Sequence, residues 1–269
     1  MKVGVVGHGV VGSAMARFIG TRAHHDLVIY DKFQPAHNQP ARRLAINTCD
    51  LVFLCVPTPA DSQGGCDTSA VEECAAWIRV PTCIRSTIVP GTTDRLQAAH
   101  GAQFAFSPEY LGEGAHHPWR EEGACGFLIV GGPVPITELV IGLYRDCAPP
   151  ETRYYRTSAR AAELCKYMEN SFLAAKVAFV NQFYDIAGAM GVDFAELREL
   201  WLADARVGPS HTLVTRERGF RGRCLPKDLG ALVAAMEHLG GAPLLRAIQE
   251  FNARICAAAD LAAVARPDD

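Results

Sequence analysis

The sequence predicts an α/β chain: a Rossmann-type doubly wound parallel sheet over residues 1–155, then an all-helical domain over 156–269 with a long central helix. Three observations predict it. Short apolar runs bounded by Gly and Pro recur through the first half of the chain. A G-x-G-x-x-G stands between the first of these runs and a helical stretch. From about Ser158 the texture changes to proline-free sequence rich in Ala, Leu, Glu and Lys.

The runs 2–7, 27–31, 51–56, 82–86, 103–106 and 127–131 are short, apolar and separated by helical or loop stretches, the pattern of buried parallel strands covered by helices. Residues 159–191 then predict one long helix, and 194–203 a shorter one. An irregular, arginine-rich segment covers 206–228, and a last helical region runs to about Val264 with a Gly-Gly-Ala-Pro break at 240–243.

Composition sets the outer limits. With 269 residues, 26 basic and 29 acidic side chains (net −3), 49% apolar and 20% charged residues, the chain has a globular balance, which excludes disordered and collagen-like classes. No apolar run approaches the roughly 20 residues of a membrane span. The apolar start, residues 1–16, carries four glycines and no cleavage region, so a cytoplasmic protein is expected. The ten cysteines include no C-x-x-C pair, which argues against a disulfide framework and against zinc. The pairs His24-His25 and His116-His117 are expected on solvated loops, with no metal. The mild acidity offers no broad footprint for nucleic acid. Only five of the 26 basic residues are lysines: Lys2, Lys32, Lys166, Lys176 and Lys227. An ammonium head is more compact than a guanidinium and shifts its pKa more readily.

The opening Gly7-His-Gly9-Val10-Val11-Gly12 supplies a tight turn, close backbone approach to a pyrophosphate and close helix packing. The helix start adds free N–H groups and a positive dipole end for phosphates. Asp31 ends the second run nineteen residues after Gly12, where a carboxylate accepts ribose hydroxyls and repels a 2′-phosphate. NAD is therefore expected over NADP, with Lys32 tempering the preference. Two loops after later strands, Cys55-Val56-Pro57-Thr58-Pro59 and Ser86-Thr87-Ile-Val-Pro-Gly91, lie where doubly wound sheets bind ligands. Each is equally compatible with plain turn chemistry.

Lys166 and Asn170, four residues apart, project from one helix face with Glu163 and Tyr167 beside them. A lysine beside an amide polarises a substrate oxygen or stabilises an oxyanion; an incidental pair on a solvated face has the same spacing. In Gly219-Phe-Arg221-Gly-Arg223-Cys224-Leu-Pro-Lys227-Asp228, the polar, glycine-rich setting argues against a core cysteine and for a nucleophile near cations.

These segments resemble the UDP-glucose/GDP-mannose 6-dehydrogenase family, in the family's order and over nearly the whole chain. The similar stretches are 7–12, 55–59, 86–92, Phe106-Ser-Pro-Glu109-Tyr110-Leu111-Gly-Glu113-Gly, 163–173, Asp204-Ala-Arg206-Val-Gly208 and 219–228. The glycine motif and the Lys166/Asn170 pair also occur in the wider β-hydroxyacid dehydrogenases; Cys224 in Cys-Leu-Pro-Lys-Asp separates the two. The resemblance implies oxidation of a primary alcohol to a carboxylate with two NAD⁺. Cys224 would capture the aldehyde and carry the thioester, Lys166 and Asn170 would stabilise the oxyanion, and Asp228, Glu109 and Thr87 would assist hydrolysis. It also implies that Gly7, Gly9, Val10, Val11, Gly12, Asp31, Lys32, Val56, Pro57, Thr58, Thr87 and Lys227 face the cofactor. Glu109, Tyr110, Leu111, Glu113, Lys166, Asn170, Arg206, Gly219, Arg221 and Arg223 would face the substrate. The residue matching Arg206 reaches across a dimer in the family, so a homodimer through the long helix is implied.

Two features depart from the family. Its members continue into a third, C-terminal α/β domain, whereas 41 residues follow Asp228 here, too few for one. The family's adjacent glycines before the cysteine are replaced by Phe220-Arg221-Gly222-Arg223, preceded by Arg216 and Arg218. These arginines are expected either to bind a small anionic, phosphorylated substrate or simply to face solvent. A two-electron alcohol dehydrogenase without covalent catalysis and a non-catalytic NAD-binding relative remain open beside the thioester enzyme.

Overall fold

The computed structural model describes residues 1–265 except Ala23, Gln63, Ala102 and residues 113–118. Glu113, His116 and His117 lie outside the described residues. The chain groups into two compact units, Met1–Pro59 with Cys66–Lys166, and Ala60–Gly65 with Tyr167–Asp269.

The first unit is the sheet. Its strands are β1 (Lys2–Val6), β2 (Asp26–Tyr30), β3 (Leu51–Leu54), β4 (Thr82–Ile84), β5 (Phe104–Phe106), β6 (Phe127–Gly131) and β7 (Arg153–Thr157). They lie in the order β2-β1-β3-β4-β5-β6-β7, with α1 (Val10–Gly20), α2 (Pro40–Ile46), α3 (Ser69–Ala75), α4 (Thr92–His100) and α5 (Val134–Cys147) between them. The two-residue period of a strand divides the core. Val3, Val5, Leu51, Phe53 and Ala105 pack with Met15, Ile19, Val140 and Tyr144, while Val6, Val52, Leu54, Phe104 and Phe106 pack with Ile46, Ile78 and Leu96. Every one of those strand residues is buried, which is why these segments read as continuous apolar runs.

Two features of the sheet differ from the expectation of six parallel strands. β6 is antiparallel to β5, paired through Phe106 and Gly131. The described residues between them form no helix, and without a helical crossover a neighbouring strand returns in the opposite direction. β7, parallel to β6, is absent from the sequence expectation. As an edge strand it reads Arg-Tyr-Tyr-Arg-Thr, mostly exposed, and such a strand shows no apolar run.

The long helix is α6 (Ala159–Met190). Its first turns belong to the sheet unit: Ala162 sits in the core beside Phe104 and Phe106. Buried Glu163 accepts N–H bonds from Gly91 at 2.5 Å and Thr93 at 2.9 Å, capping the start of α4. Burial raises the Glu163 pKa, and those N–H donors and the Thr93 hydroxyl act against the rise.

The second unit adds α7 (Phe194–Leu202), α8 (Cys224–Met236), a 3-10 turn at Glu237–Leu239 and α9 (Pro243–Ala265). Ala174, Val177 and Ala178 of α6 pack with Phe220 and Leu229. The sequence expected residues up to Asp228 to be irregular, but α8 already begins at Cys224. Pro226 is tolerated there because the first helical turn needs no intrahelical N–H donor.

His25 is a further correction. Expected on a solvated loop, it is buried at 8% exposure just before β2, because Met1 and Asp146 close over its ring at 3.3 and 3.6 Å. Among the described residues no disulfide forms, and no helix is long and apolar enough to cross a membrane.

Candidate active site

The glycine loop follows β1. Gly7 has φ +86°, and a side chain there would strike the Cys55 carbonyl at 2.6 Å. A Cβ at Gly12 would lie 1.9 Å from the Gly7 oxygen, whereas one at Gly9 meets nothing within 4 Å. The loop is thus closed toward the protein and open at Gly9, beside the first N–H groups of α1 at Val10, Val11 and Gly12. That cradle fits a dinucleotide pyrophosphate.

Asp31, at the end of β2, accepts backbone N–H bonds from His8 at 2.7 Å, Phe33 at 2.8 Å and Gln34 at 3.0 Å. Burial opposes its ionisation, but the three donors prevail and its pKa is lowered. A carboxylate has about four acceptor sites; one bond here ties the glycine loop to the end of β2, and two close the turn that follows β2. Gln34 braces the same loop by donating to the His8 carbonyl at 2.7 Å, a role the sequence analysis missed. Lys32 is bound by Glu73 at 2.9 Å.

The loops after β3 and β4 hold each other. Thr58 donates its hydroxyl to the Thr87 carbonyl at 2.7 Å, and Ser86 to the Val56 carbonyl at 2.6 Å. Val56, Pro57, Thr58 and Thr87 therefore form one braced rim at the carboxyl ends of the strands. At the end of β5, the Lys166 ammonium donates to the Glu109 carbonyl and lies 5.1 Å from the Tyr110 ring centre. The Glu109 carboxylate turns back onto the Leu111 N–H. Lys166 is 8% exposed, so its position is set by these partners rather than by solvent.

In the helical unit, Asn170 donates to Asp228 Oδ2 at 2.5 Å, and Lys227 lies 2.6 Å from Oδ1. Cys224 is exposed at the first position of α8. Asp228 stands four residues on, hence on the same face, and the helix N-terminus favours negative charge at the thiol. Cysteines in the sheet unit differ: burial pushes Cys49 up to about 11 and Cys74 and Cys83 up to about 12.

Gly219 has φ +61°, and any Cβ would meet Asn252 Oδ1 at 2.4 Å. Asn252 in turn accepts from the Phe220 N–H and donates to its carbonyl. The arginines divide. Arg218 binds Asn181 and Asp185; Arg221 binds Asp260 at 2.8 Å and the Glu217 and Cys256 carbonyls. Both fasten the loop to neighbouring helices. Arg223 is exposed. Arg206 is 90% exposed and paired with Asp204. The loop following it is held by Lys176, which donates to the Val207 and Gly208 carbonyls at 2.9 and 2.7 Å. The rarity of lysine was the one sequence signal for Lys176.

Comparison with known proteins follows the same segments. Residues 38–118 match the NAD binding domain model of the UDP-glucose/GDP-mannose dehydrogenase family, and residues 160–254 match its central domain model. UDP-glucose 6-dehydrogenase of Pseudomonas aeruginosa is 31% identical over 76% of this chain and 49% of its own length. UDP-glucose 6-dehydrogenase AglM of Haloferax volcanii is 26% identical over 94% of the chain and 69% of its length. This chain thus spans between about half and two thirds of such relatives. Among solved structures, a UDP-glucose dehydrogenase from Pyrobaculum islandicum superposes with a TM-score of 0.78 at 25% identity, covering 95% of this chain and 67% of that one. A Mycobacterium tuberculosis 3-hydroxyisobutyrate dehydrogenase shares the fold at 19% identity, with a TM-score of 0.68, and is covered over 94% of its length. With both family models matched over more than half of its residues, this chain belongs to the UDP-glucose/GDP-mannose dehydrogenase family and carries that family's NAD-binding and central domains.

Proposed function

We propose that this protein oxidises a primary alcohol of a sugar nucleotide, or of a smaller phosphorylated substrate, to the carboxylate through a thioester on Cys224. The observation that carries the reading is the exposed Cys224 at the start of α8, with Lys227 and Asp228 on the next turn and Asn170 bonded to Asp228. The family's relatives named as sugar-nucleotide dehydrogenases support the substrate class.

NAD⁺, when bound in the glycine cradle, accepts one hydride in each of two two-electron oxidations. The protein's own groups do the rest. In the first oxidation the alcohol O–H proton passes to solvent as the hydride leaves carbon; Lys166 and Asn170, one turn apart on α6, donate to the substrate oxygen as it becomes an oxyanion. The Cys224 thiolate adds to the aldehyde carbon, giving a thiohemiacetal; loss of its hydride leaves a thioester. Water then adds to the thioester carbonyl, its proton passing to a carboxylate, and the C–S bond breaks to release the acid and restore the thiolate. Asp228, Glu109 and Thr87 serve that hydrolysis. Arg206 and Arg223, both exposed, serve the anionic end of the substrate.

A homodimer through α6 is part of the same proposal. Leu164, Met168, Phe172, Phe179, Phe183 and Met190 leave the helix 40–73% exposed, an apolar stripe along its length that a second copy would cover. Sedimentation of Phe172→Asp/Phe183→Asp as a monomer beside a dimeric wild type is the expected result, and a monomeric wild type overturns it.

The test of the chemistry is NADH yield per substrate over UDP-glucose, GDP-mannose, nucleoside monophosphates and hexose phosphates, for wild type and Cys224→Ala. Two NADH per molecule of one substrate, with acid formation lost in the variant, is expected. One NADH per molecule with the variant fully active would make the protein a simple alcohol dehydrogenase.

A further inference from the structure

We propose that His24, His25 and Asp146 form a three-ligand site for a divalent transition metal of the zinc type, in the sheet unit and away from the glycine loop. The turn between α1 and β2 carries both histidines, and Asp146 is the penultimate residue of α5. One ring nitrogen from each histidine and one carboxylate oxygen all lie within 4.8 Å of one another. The Asp146 Oδ2 stands 3.3 Å from His24 Nε2 and 3.6 Å from His25 Nε2. With zinc bonds of about 2.0–2.1 Å to nitrogen or oxygen, the edge of a coordination tetrahedron is about 3.3 Å. The two spacings to Asp146 are therefore near that edge, and the exposed His24 ring would swing in to bring its nitrogen, within 4.8 Å of that of His25, onto the ion.

The second observation is His25 itself. Its side chain is 1% exposed, and its Nε2 has no hydrogen-bond partner. A buried ring nitrogen without a partner costs stability that a bound cation would recover. Asp146 adds a third reason, because a carboxylate in the last turn of a helix faces the negative end of the dipole, where a cation is favoured. Arg22 does not fill that role: its Nε binds the Asp146 backbone carbonyl at 2.6 Å and leaves the carboxylate to the histidines. His24 and Asp146 side chains are 63% and 54% exposed, which gives an entry path and an open fourth position for water.

The test uses the full chain with any tag at the C-terminus, away from the Met1–His25 contact, stripped with chelator and titrated with Zn²⁺ and Co²⁺. Expected are one equivalent bound, an at least tenfold weaker affinity in His24→Ala and in Asp146→Asn, and tetrahedral Co²⁺ bands without a thiolate charge-transfer band. NAD⁺ affinity and circular dichroism should be unchanged in both variants. Unaltered metal affinity in the two variants, absence of stoichiometric binding, or a thiolate-to-Co²⁺ band showing the metal on cysteines would overturn the proposal.

Discussion

The Asn170 amide and the Asp228 carboxylate are joined by a 2.5 Å hydrogen bond between residues 58 apart in sequence, and Lys227 takes the second carboxylate oxygen. Asp228 is 1% exposed and Asn170 5%, so the pair is a fixed element of the helical unit. Asp228→Ala leaves the Asn170 donor buried and unpaired, and a destabilisation of about 1–3 kcal/mol is expected by urea unfolding. Asp228→Asn should retain more of that stability yet slow acid release by about 10²–10⁴-fold, the usual contribution of a general base. Equal acid release in wild type and Asp228→Asn would remove Asp228 from the chemistry.

Gly12→Ala tests the cofactor cradle. Its Cβ would sit 1.9 Å from the Gly7 carbonyl oxygen, a backbone clash that only a shifted loop relieves. NAD⁺ binding, followed by cofactor fluorescence or calorimetry, should be lost while the circular dichroism of the helices persists. Gly9→Ala, whose Cβ meets nothing in the protein, should fold normally and lose affinity only through contact with the cofactor.

Asp31 carries a pH signature. Its folded pKa lies below the ordinary 3.8, so the unfolded chain binds this proton more readily. The stabilisation is present in full above the unfolded value and disappears as pH falls through the folded one. Asp31→Asn is expected to be less stable by about 1–3 kcal/mol near neutral pH, with the gap to wild type closing below about pH 4. A gap that stays constant down to pH 2 contradicts the assignment.

Alkylation should find Cys224 first. Burial holds Cys49, Cys74 and Cys83 at about 11 to 12, whereas Cys224 is exposed at a helix start. Iodoacetamide at neutral pH, mapped by mass spectrometry, should mark Cys224 well before those three, and earlier labelling of any of them would refute the ordering.

Arg221→Ala separates fastening from substrate binding. The Arg221–Asp260 pair is partly exposed, with side chains 34% and 65% accessible, so solvent screens it and its loss should leave the fold nearly unaltered. Affinity for phosphorylated ligands should be unchanged, while Arg223→Ala should weaken it. The reverse pattern would return Arg221 to the substrate.

What the sequence determined by itself is whatever depends on neighbours along the chain. The buried strands show as apolar runs because both faces of the sheet are covered; α6 shows as 32 helical residues without a proline; the glycine loop and the Cys224 segment are contiguous motifs. Long-range pairing decided the rest. The reversal of β6 against β5 depends on how the intervening chain returns, and β7 is exposed and charged, so it carries no apolar signature. Arg221 and Asp31 read as an anion binder and a ribose ligand, and only the fold shows Asp260 of α9 beside the one and the His8 N–H of the glycine loop on the other. Glu163 and Lys176 brace the α4 start and the loop after Arg206 through backbone groups 70 and about 32 residues away. His24 and His25 stand side by side in the sequence, and only the fold brings Asp146 to them across 122 residues.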